Sequence, residues 1–226
     1  AETMREAAVG ADAVLIAVPV VAMRSVFEDI TPVLAQTTVI SDVGSVRATL
    51  VVDARQAFGK ASCNYCPVHP IAGGEKTGVD AAVPSLFVGA NAIVTPLEET
   101  SEASRSIWRK LWAATGANLL EMTVAEHDSI FASVSHLPHV VAFALVNAVL
   151  SMESPERRLH LAGPGFRDTT RIAASSPTMW RDICLANQKA LLESLLAYKD
   201  NLEDICRAIE KGDGKAIEEF FERSAK

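Results

Sequence analysis

The chain is short of positive charge. Twenty-one Lys and Arg stand against 28 Asp and Glu, a net charge of −7, and no basic patch is dense enough to neutralise a run of phosphates. That excludes a nucleic-acid partner. No uninterrupted apolar run reaches the length of a bilayer span, so no membrane partner is expected. The opening residues Ala1-Glu2-Thr3-Met4-Arg5-Glu6 are acidic and helix-prone, unlike a signal peptide, which points to the cytoplasm. No G-x-S-x-G elbow occurs, which argues against a hydrolase serine. Cysteine is scarce, with four in the chain. Cys63 and Cys66 have the spacing of a redox pair or half a zinc site, with His69 three residues on. No second Cys or His pair follows to complete a tetrahedral site, so no metal is expected. Cys184 and Cys206 fall in amphipathic helical patterns and read as buried small apolar residues.

What is present describes an ordinary globular protein: 226 residues, 49% apolar and 22% charged. Residues 1–10 read as the end of a helix closed by Gly10. Ala13 to Pro19 is a short apolar run stopped by proline, the pattern of a parallel strand buried on both faces. Helical spacing resumes over 20–35, through Val21, Met23, Val26, Phe27 and Ile30. Thr38–Ser41 is a second buried strand, running into the turn Asp42–Arg47 and a helix that ends near Gly59. Ala61 to Val68 is a third strand-like piece, delivering His69. This β-α-β-α-β order predicts a parallel sheet with right-handed crossovers. The strand ends at Val18-Pro19, Ser41–Ser45 and His69-Pro70 are expected to line one crevice.

Two strand-like runs follow, Leu86-Phe87-Val88 and Ala92-Ile93-Val94. A helix over 98–115 turns Ile107, Trp108, Leu111 and Trp112 inward, and Asn118-Leu119-Leu120 closes as a last strand. Composition changes at Thr123, where Thr123-Val124-Ala125-Glu126 has the capping-box pattern. A long apolar helix runs from there to near Met152. The remainder reads as helix over 166–174, 178–210 with a break, and 213–225. The expected domains are 1–122 and 123–226, α/β then all-α. The long helix is apolar on nearly every side around Phe143–Leu150, which calls for burial in a helix-packed dimer.

Three further stretches carry chemistry. His69-Pro70-Ile71-Ala72-Gly73-Gly74-Glu75-Lys76-Thr77-Gly78 puts an imidazole, a carboxylate, an ammonium and three glycines on a loop after a strand. It is a candidate acid–base site or an ordinary surface turn. In Ser135-His136-Leu137-Pro138-His139 the proline kinks the helix, and the two histidines share a face. They suit metal ligation, a substrate clamp or hydrogen-bonded core positions. In Gly163 to Arg171, Asp168 reads as an N-cap, with Arg171 one turn into the helix. Arg171 fits planar recognition of a carboxylate, or a solvated pair with an acidic neighbour. Ser176 or Thr178 caps the next helix, with Trp180 packing inward. Ser45, after Asp42-Val43-Gly44, is placed to bond a substrate hydroxyl or a cofactor amide.

Taken in this order, these motifs resemble the prephenate/arogenate (cyclohexadienyl) dehydrogenase family along essentially the whole chain. The resemblance implies a Rossmann-type NAD(P) domain followed by a helical dimerisation domain that makes a homodimer. It implies oxidative decarboxylation in tyrosine biosynthesis, of prephenate to 4-hydroxyphenylpyruvate or of arogenate to tyrosine. His69 resembles the histidine that takes the proton of the C4 hydroxyl, so activity is expected to fall as it protonates in acid. Ser45 resembles the serine holding that hydroxyl and the nicotinamide, and Arg171 the arginine binding a substrate carboxylate. His139, Glu75 and Asp168 match polar groups that shape the pocket, and His139 with Trp180 is a feature of members accepting prephenate. Val18, Pro19, Asp42, Gly44 and Ser45 fall where the cofactor, NAD or NADP, is held. Tyrosine is a candidate feedback inhibitor. The alternative is a non-catalytic module that binds an aromatic amino acid.

The sequence departs from that pattern at its start. A dinucleotide-binding domain opens with a strand, G-x-G-x-x-G and a helix. This sequence has no such motif and begins in the helix before what would be the fourth strand. Roughly sixty residues are expected to precede it, on the usual size of a double βαβ unit. NAD affinity of these residues alone is expected to be poor.

Overall fold

The computed structural model describes residues 1–73 and 82–225. Helix α1 (Met4–Ala8) is capped by Thr3, whose Oγ1 accepts from the Glu6 amide at 3.1 Å. Strand β1 (Ala13–Ile16), helix α2 (Val20–Ile30) and strand β2 (Val39–Asp42) form a βαβ unit. The strands are parallel, in register from Ala13↔Val39 to Ile16↔Asp42. Helix α2 buries Met23, Val26, Phe27 and Ile30, one helical stripe. Helix α3 (Ala48–Phe58) buries Leu50, Val51, Ala54 and Phe58. Phe27, Phe58 and Tyr65 meet as a ring cluster with centroids 5.1–5.8 Å apart. Each such side chain contributes about 1.5–3 kcal/mol by burial, so this cluster holds the first layer together.

The sheet differs from the expected one. Strand β1 is not covered on both faces: Leu15 is 41% exposed, and among the described residues β1 pairs with β2 alone. Residues Gly59–Asn64 form a 3₁₀ turn rather than a strand. Tyr65 then bridges Ile40 in parallel, and the Cys66 amide donates to the Ile40 carbonyl at 2.9 Å. Pro67 has no amide to continue that ladder. The chain turns away into strand β3 (Val68–Pro70), which runs antiparallel to β4 (Asn91–Val94), and β4 lies parallel to β5 (Asn118–Glu121). Leu86–Val88 is a turn with Val88 at the surface. Helix α4 (Glu102–Ala114) buries Ser104, Trp108 and Trp112, while Ile107 and Leu111 face outward.

Thr123 caps the C-terminal half, its Oγ1 accepting from the Glu126 amide at 3.2 Å. Helix α5 (Val124–Phe131) passes through a π-helical turn, Ala132–His136, into α6 (Leu137–Leu150). Pro138 cannot donate to the Val134 carbonyl, and the widened turn accommodates it without ending the helix. The combined run Val124–Leu150 is therefore long and apolar enough to cross a membrane by length and composition, contrary to the count of uninterrupted runs. It carries the buried polar groups His127, Asp128 and His136.

Helices α7 (Pro155–His160), α8 (Pro164–Thr170), α9 (Pro177–Ala186), α10 (Gln188–Glu210) and α11 (Gly214–Ser224) follow, with the break between α9 and α10 at Asn187. Helix α6 is not buried all round within one chain: Ala142 alone is fully covered. Leu150, Leu192 and Leu196 are about half-exposed, so the long helix and α10 each leave apolar side chains uncovered. Cys206 is exposed and Cys184 half-buried, so neither is the core residue expected. Burial pushes the Cys66 thiol up to about 12, which leaves it inert at neutral pH.

Candidate active site

His69 sits in β3, positioned by the pairing His69↔Ile93. It opens a cleft of about 680 Å³ that also contains Phe131, Val134, Ser135, His139, Arg171 and Met179. Strand β3, the π-turn, the start of α6 and the segment joining α8 to α9 thus meet on one space. His69, His139 and Arg171, far apart in sequence, are brought together there.

Behind His69 lies a hydrogen-bonded chain. Its Nδ1 is 2.9 Å from His127 Nε2, and His127 Nδ1 is 2.8 Å from Asp128 Oδ1. The Asp128 carboxylate also accepts from the amides of Arg47 and Ala48, both at 2.8 Å, at the first turn of α3. Burial alone would raise the Asp128 pKa; the bonds from His127 and the two amides outweigh it and hold it below the usual carboxylate value. His69 is pushed down to about 2, first by burial, then by the Arg47 guanidinium, and by the repulsion a proton on His127 or His136 would add. The expectation that His69 protonates in mild acid is thereby corrected: it is neutral throughout the physiological range. Burial also lowers His127, against the raising effect of Asp128.

His136 and His139 are neighbours on one side of the helix, and both face Trp180. The His136 ring is fully buried, with Nδ1 3.2 Å from Asn187 Nδ2, and burial pushes it down to about 4. His139 Nδ1 bonds the Ser135 carbonyl at 2.9 Å and its ring stacks on Trp180. Burial lowers the His139 pKa. Trp180 is buried behind His139 and outside the cleft lining.

Other expected residues sit elsewhere. Asp168 lies inside α8 and does not cap it; Gly163 holds the N-cap position and Pro164 opens the helix. Asp168 is exposed and does not line the cleft. Arg171 follows the C-terminal end of α8, not its first turn. Glu75 lies outside the described residues. Asp42 is fully buried. Its carboxylate takes a forked pair of bonds from Arg47, at 2.9 and 3.2 Å, one from the Gly44 amide at 2.7 Å, and one from the Tyr65 hydroxyl. It shapes the loop rather than reaching a ligand. Gly44 is required by space: a Cβ there would lie 2.5 Å from Leu50 Cδ1 and 2.8 Å from Arg47 Nη2. Ser45 is half-buried. The crevice expected from three strand ends is thus narrower, since the cleft draws on β3 but not on the ends of β1 and β2. Val18 faces a separate apolar groove beside α1.

The residues present fit one end of a dinucleotide. The carboxyl ends of β1 and β2 lie side by side, and the Val43 amide donates to Ile16. Pro19 is exposed, and α2 begins after it with no side chain capping its first turn. That is where open α/β sheets bind ligands. The glycine-rich loop that would hold a pyrophosphate has no counterpart in the sequence.

His127 and Asp128 were not singled out in the sequence. The available signal was their position: four and three residues before Phe131, they share its end of the capped helix and fall on the side facing His69.

Comparison with known proteins gives two family matches. Residues 1–121 match the family described as prephenate dehydrogenase, nucleotide-binding domain, and residues 123–223 match prephenate dehydrogenase, dimerization domain. The cyclohexadienyl dehydrogenase of Zymomonas mobilis is 34% identical over 227 residues, which cover all of this chain and 77% of the relative. The prephenate dehydrogenase of Lactococcus lactis is 35% identical over 96% of this chain and 60% of its own length. The crystal structure of prephenate dehydrogenase from Aquifex aeolicus, in complex with hydroxyphenyl propionate and NAD+, superposes with a TM-score of 0.88 at 33% identity. That likeness covers 95% of this chain and 74% of the other.

Proposed function

Because this chain belongs to the prephenate dehydrogenase family, we propose that it catalyses the NAD-dependent oxidative decarboxylation of prephenate to 4-hydroxyphenylpyruvate, a step of tyrosine biosynthesis. One observation supports this above all. A neutral imidazole, His69, and a guanidinium, Arg171, line the same cleft, whose volume of about 680 Å³ suits a small cyclic dicarboxylate.

In this reading His69 accepts the proton of the C4 hydroxyl as C4 loses its hydride. NAD+, when bound, supplies the hydride acceptor. The C4 oxygen becomes a carbonyl, the ring carboxylate leaves as CO2, and its bonding pair completes the aromatic ring. Arg171 holds a substrate carboxylate by charge-assisted hydrogen bonds. His139, backed by Trp180, fixes a wall of the cleft. Ser45 bonds the reacting hydroxyl and the nicotinamide, with Pro19 and Val18 near that end of the cofactor, while Gly44 gives the loop that carries Ser45 the room it needs. Asp42 acts through Arg47 and Gly44. A second copy covers the apolar surface of the long helix and α10, making a homodimer. The enzyme works in the cytoplasm, where both reactants are soluble. Tyrosine, which shares the aromatic ring and a charged side chain with the products, competes for the cleft.

The test is NADH formation from prephenate and NAD+. Turnover with prephenate but not arogenate supports the reading as stated. Turnover with arogenate alone reassigns the substrate, and none with either, with NADP+ also supplied, leaves a binding module.

A further inference from the structure

The position of His69 raises a difficulty. A general base must hold the proton it takes, and this imidazole is buried with the Arg47 guanidinium nearby. Left to itself it is a poor acceptor. The bonded chain behind it supplies what it lacks.

Hydrogen positions follow from the end of that chain. The Asp128 carboxylate takes the amides of Arg47 and Ala48 and only accepts. The hydrogen between it and His127 therefore belongs to His127 Nδ1. His127 Nε2 is then bare and must accept. The hydrogen between the two rings therefore belongs to His69 Nδ1. His69 is left with its lone pair on Nε2, the nitrogen remote from His127. Phe131 walls the pair, its ring 4.9 Å from His69 and 4.5 Å from His127, which limits rotation of either ring.

We infer that His127 and Asp128 are positioning residues that set the tautomer of His69 and receive the charge of the proton it takes. This rests on the reading of His69 as proton acceptor. The proton of the substrate hydroxyl passes to His69 Nε2. The hydrogen on His69 Nδ1 crosses to His127 Nε2, the two nitrogens being 2.9 Å apart. His69 is again neutral, and His127 carries both hydrogens beside the Asp128 carboxylate. The substrate loses one proton and one hydride, the hydride going to the nicotinamide of the proposed reaction. Two backbone amides fix the carboxylate, so the electrostatic support is in place before the reaction begins.

The test combines spectroscopy on the unaltered chain with kinetics of one variant. Nitrogen-15 NMR of the ring nitrogens should find hydrogen on Nδ1 of both His69 and His127, with both Nε2 atoms bare. Asp128→Asn removes the charge behind His127 and puts an NH2 among three donors; with that NH2 facing His127 Nδ1 the last bond reverses, and each ring turns over to its other tautomer. His69 would then present N–H to the substrate. By analogy with a carboxylate-to-amide change behind a catalytic histidine, kcat should fall roughly a thousand- to ten-thousand-fold with KM for prephenate little changed. A wild-type His69 carrying its hydrogen on Nε2 overturns the inference, as does a folded Asp128→Asn enzyme with kcat near wild type. Should the variant fail to fold, because Asp128 also holds α3, the wild-type spectrum decides. That spectrum needs no turnover, so an inactive wild-type enzyme sinks the proposed function while leaving the tautomers readable.

Discussion

The imidazole of His139 lies flat against the indole of Trp180, ring centroids 3.8 Å apart and planes inclined by 22°. A second histidine, His136, meets the edge of the same indole at 6.1 Å. Trp180 thus fixes two residues of the long helix from a different helix, α9.

That relationship separates stability from binding at one position. Trp180→Phe keeps an aromatic face under His139, and KM for prephenate should change little. Trp180→Ala removes the stack and leaves a cavity, and should cost about 3–5 kcal/mol of stability. Urea titration of the two variants measures the difference.

Arg171→Gln should act on substrate binding. It removes a charge-assisted bond to a carboxylate, worth about 1.5–3 kcal/mol, so KM should rise roughly ten- to a hundred-fold. Steady-state kinetics with prephenate checks this, and an unchanged KM contradicts the assignment.

The buried histidines set the response to acid. His136 is held neutral, its pKa lowered to about 4 by burial, from an ordinary 6.5. Below pH 6.5 the unfolded chain binds a proton there that the folded chain does not. Stability from this group is therefore full above pH 6.5 and is lost as pH falls toward 4, by about 3 kcal/mol for the one group. Urea unfolding at stepped pH should show that decline. Activity should not track it through His69, which stays neutral over the same range; kcat/KM should lack an acid limb near pH 6.5 arising from that residue.

The pair Asp42–Arg47 is buried completely on both sides. Asp42→Asn leaves a guanidinium charge with no carboxylate, and should cost about 3–5 kcal/mol. Gly44→Ala should destabilise too, because its new methyl has no room beside Leu50 and Arg47. Thermal unfolding of both variants checks the assignment of this loop to structure rather than direct cofactor contact.

Legibility in the sequence followed the range of the interactions. Thr123 was readable as a cap because its bond reaches three residues, and His69 because a proline and three glycines surround it. Arg171 was readable as a candidate for the cleft but not in its place in the helix, since the helix begins earlier, at Pro164. The stripes Ile107–Leu111 and Trp108–Trp112 are adjacent on one helix, and spacing alone does not say which turns inward; the sheet chose the tryptophans. His127 and Asp128 were hidden because their partners lie 58 and 81 residues away. In sequence they look like ordinary polar residues in the body of a capped helix. Strand β3 was misjudged because Pro67 changes its partner, and that depends on which amides a sheet needs.

The π-turn at Ala132–His136 accommodates one more residue than an α-turn. In geometric terms the helix carries one residue beyond regular winding without breaking. Everything downstream is swung by about 100°, one residue's step around the axis. Deleting one residue from this turn would restore regular winding and improve local geometry. It would also carry His136 and His139 off the indole while His127 stayed in place. A gap of one in an alignment over 132–136 would therefore mark a lineage that had rebuilt this wall of the cleft, even where every named side chain was retained.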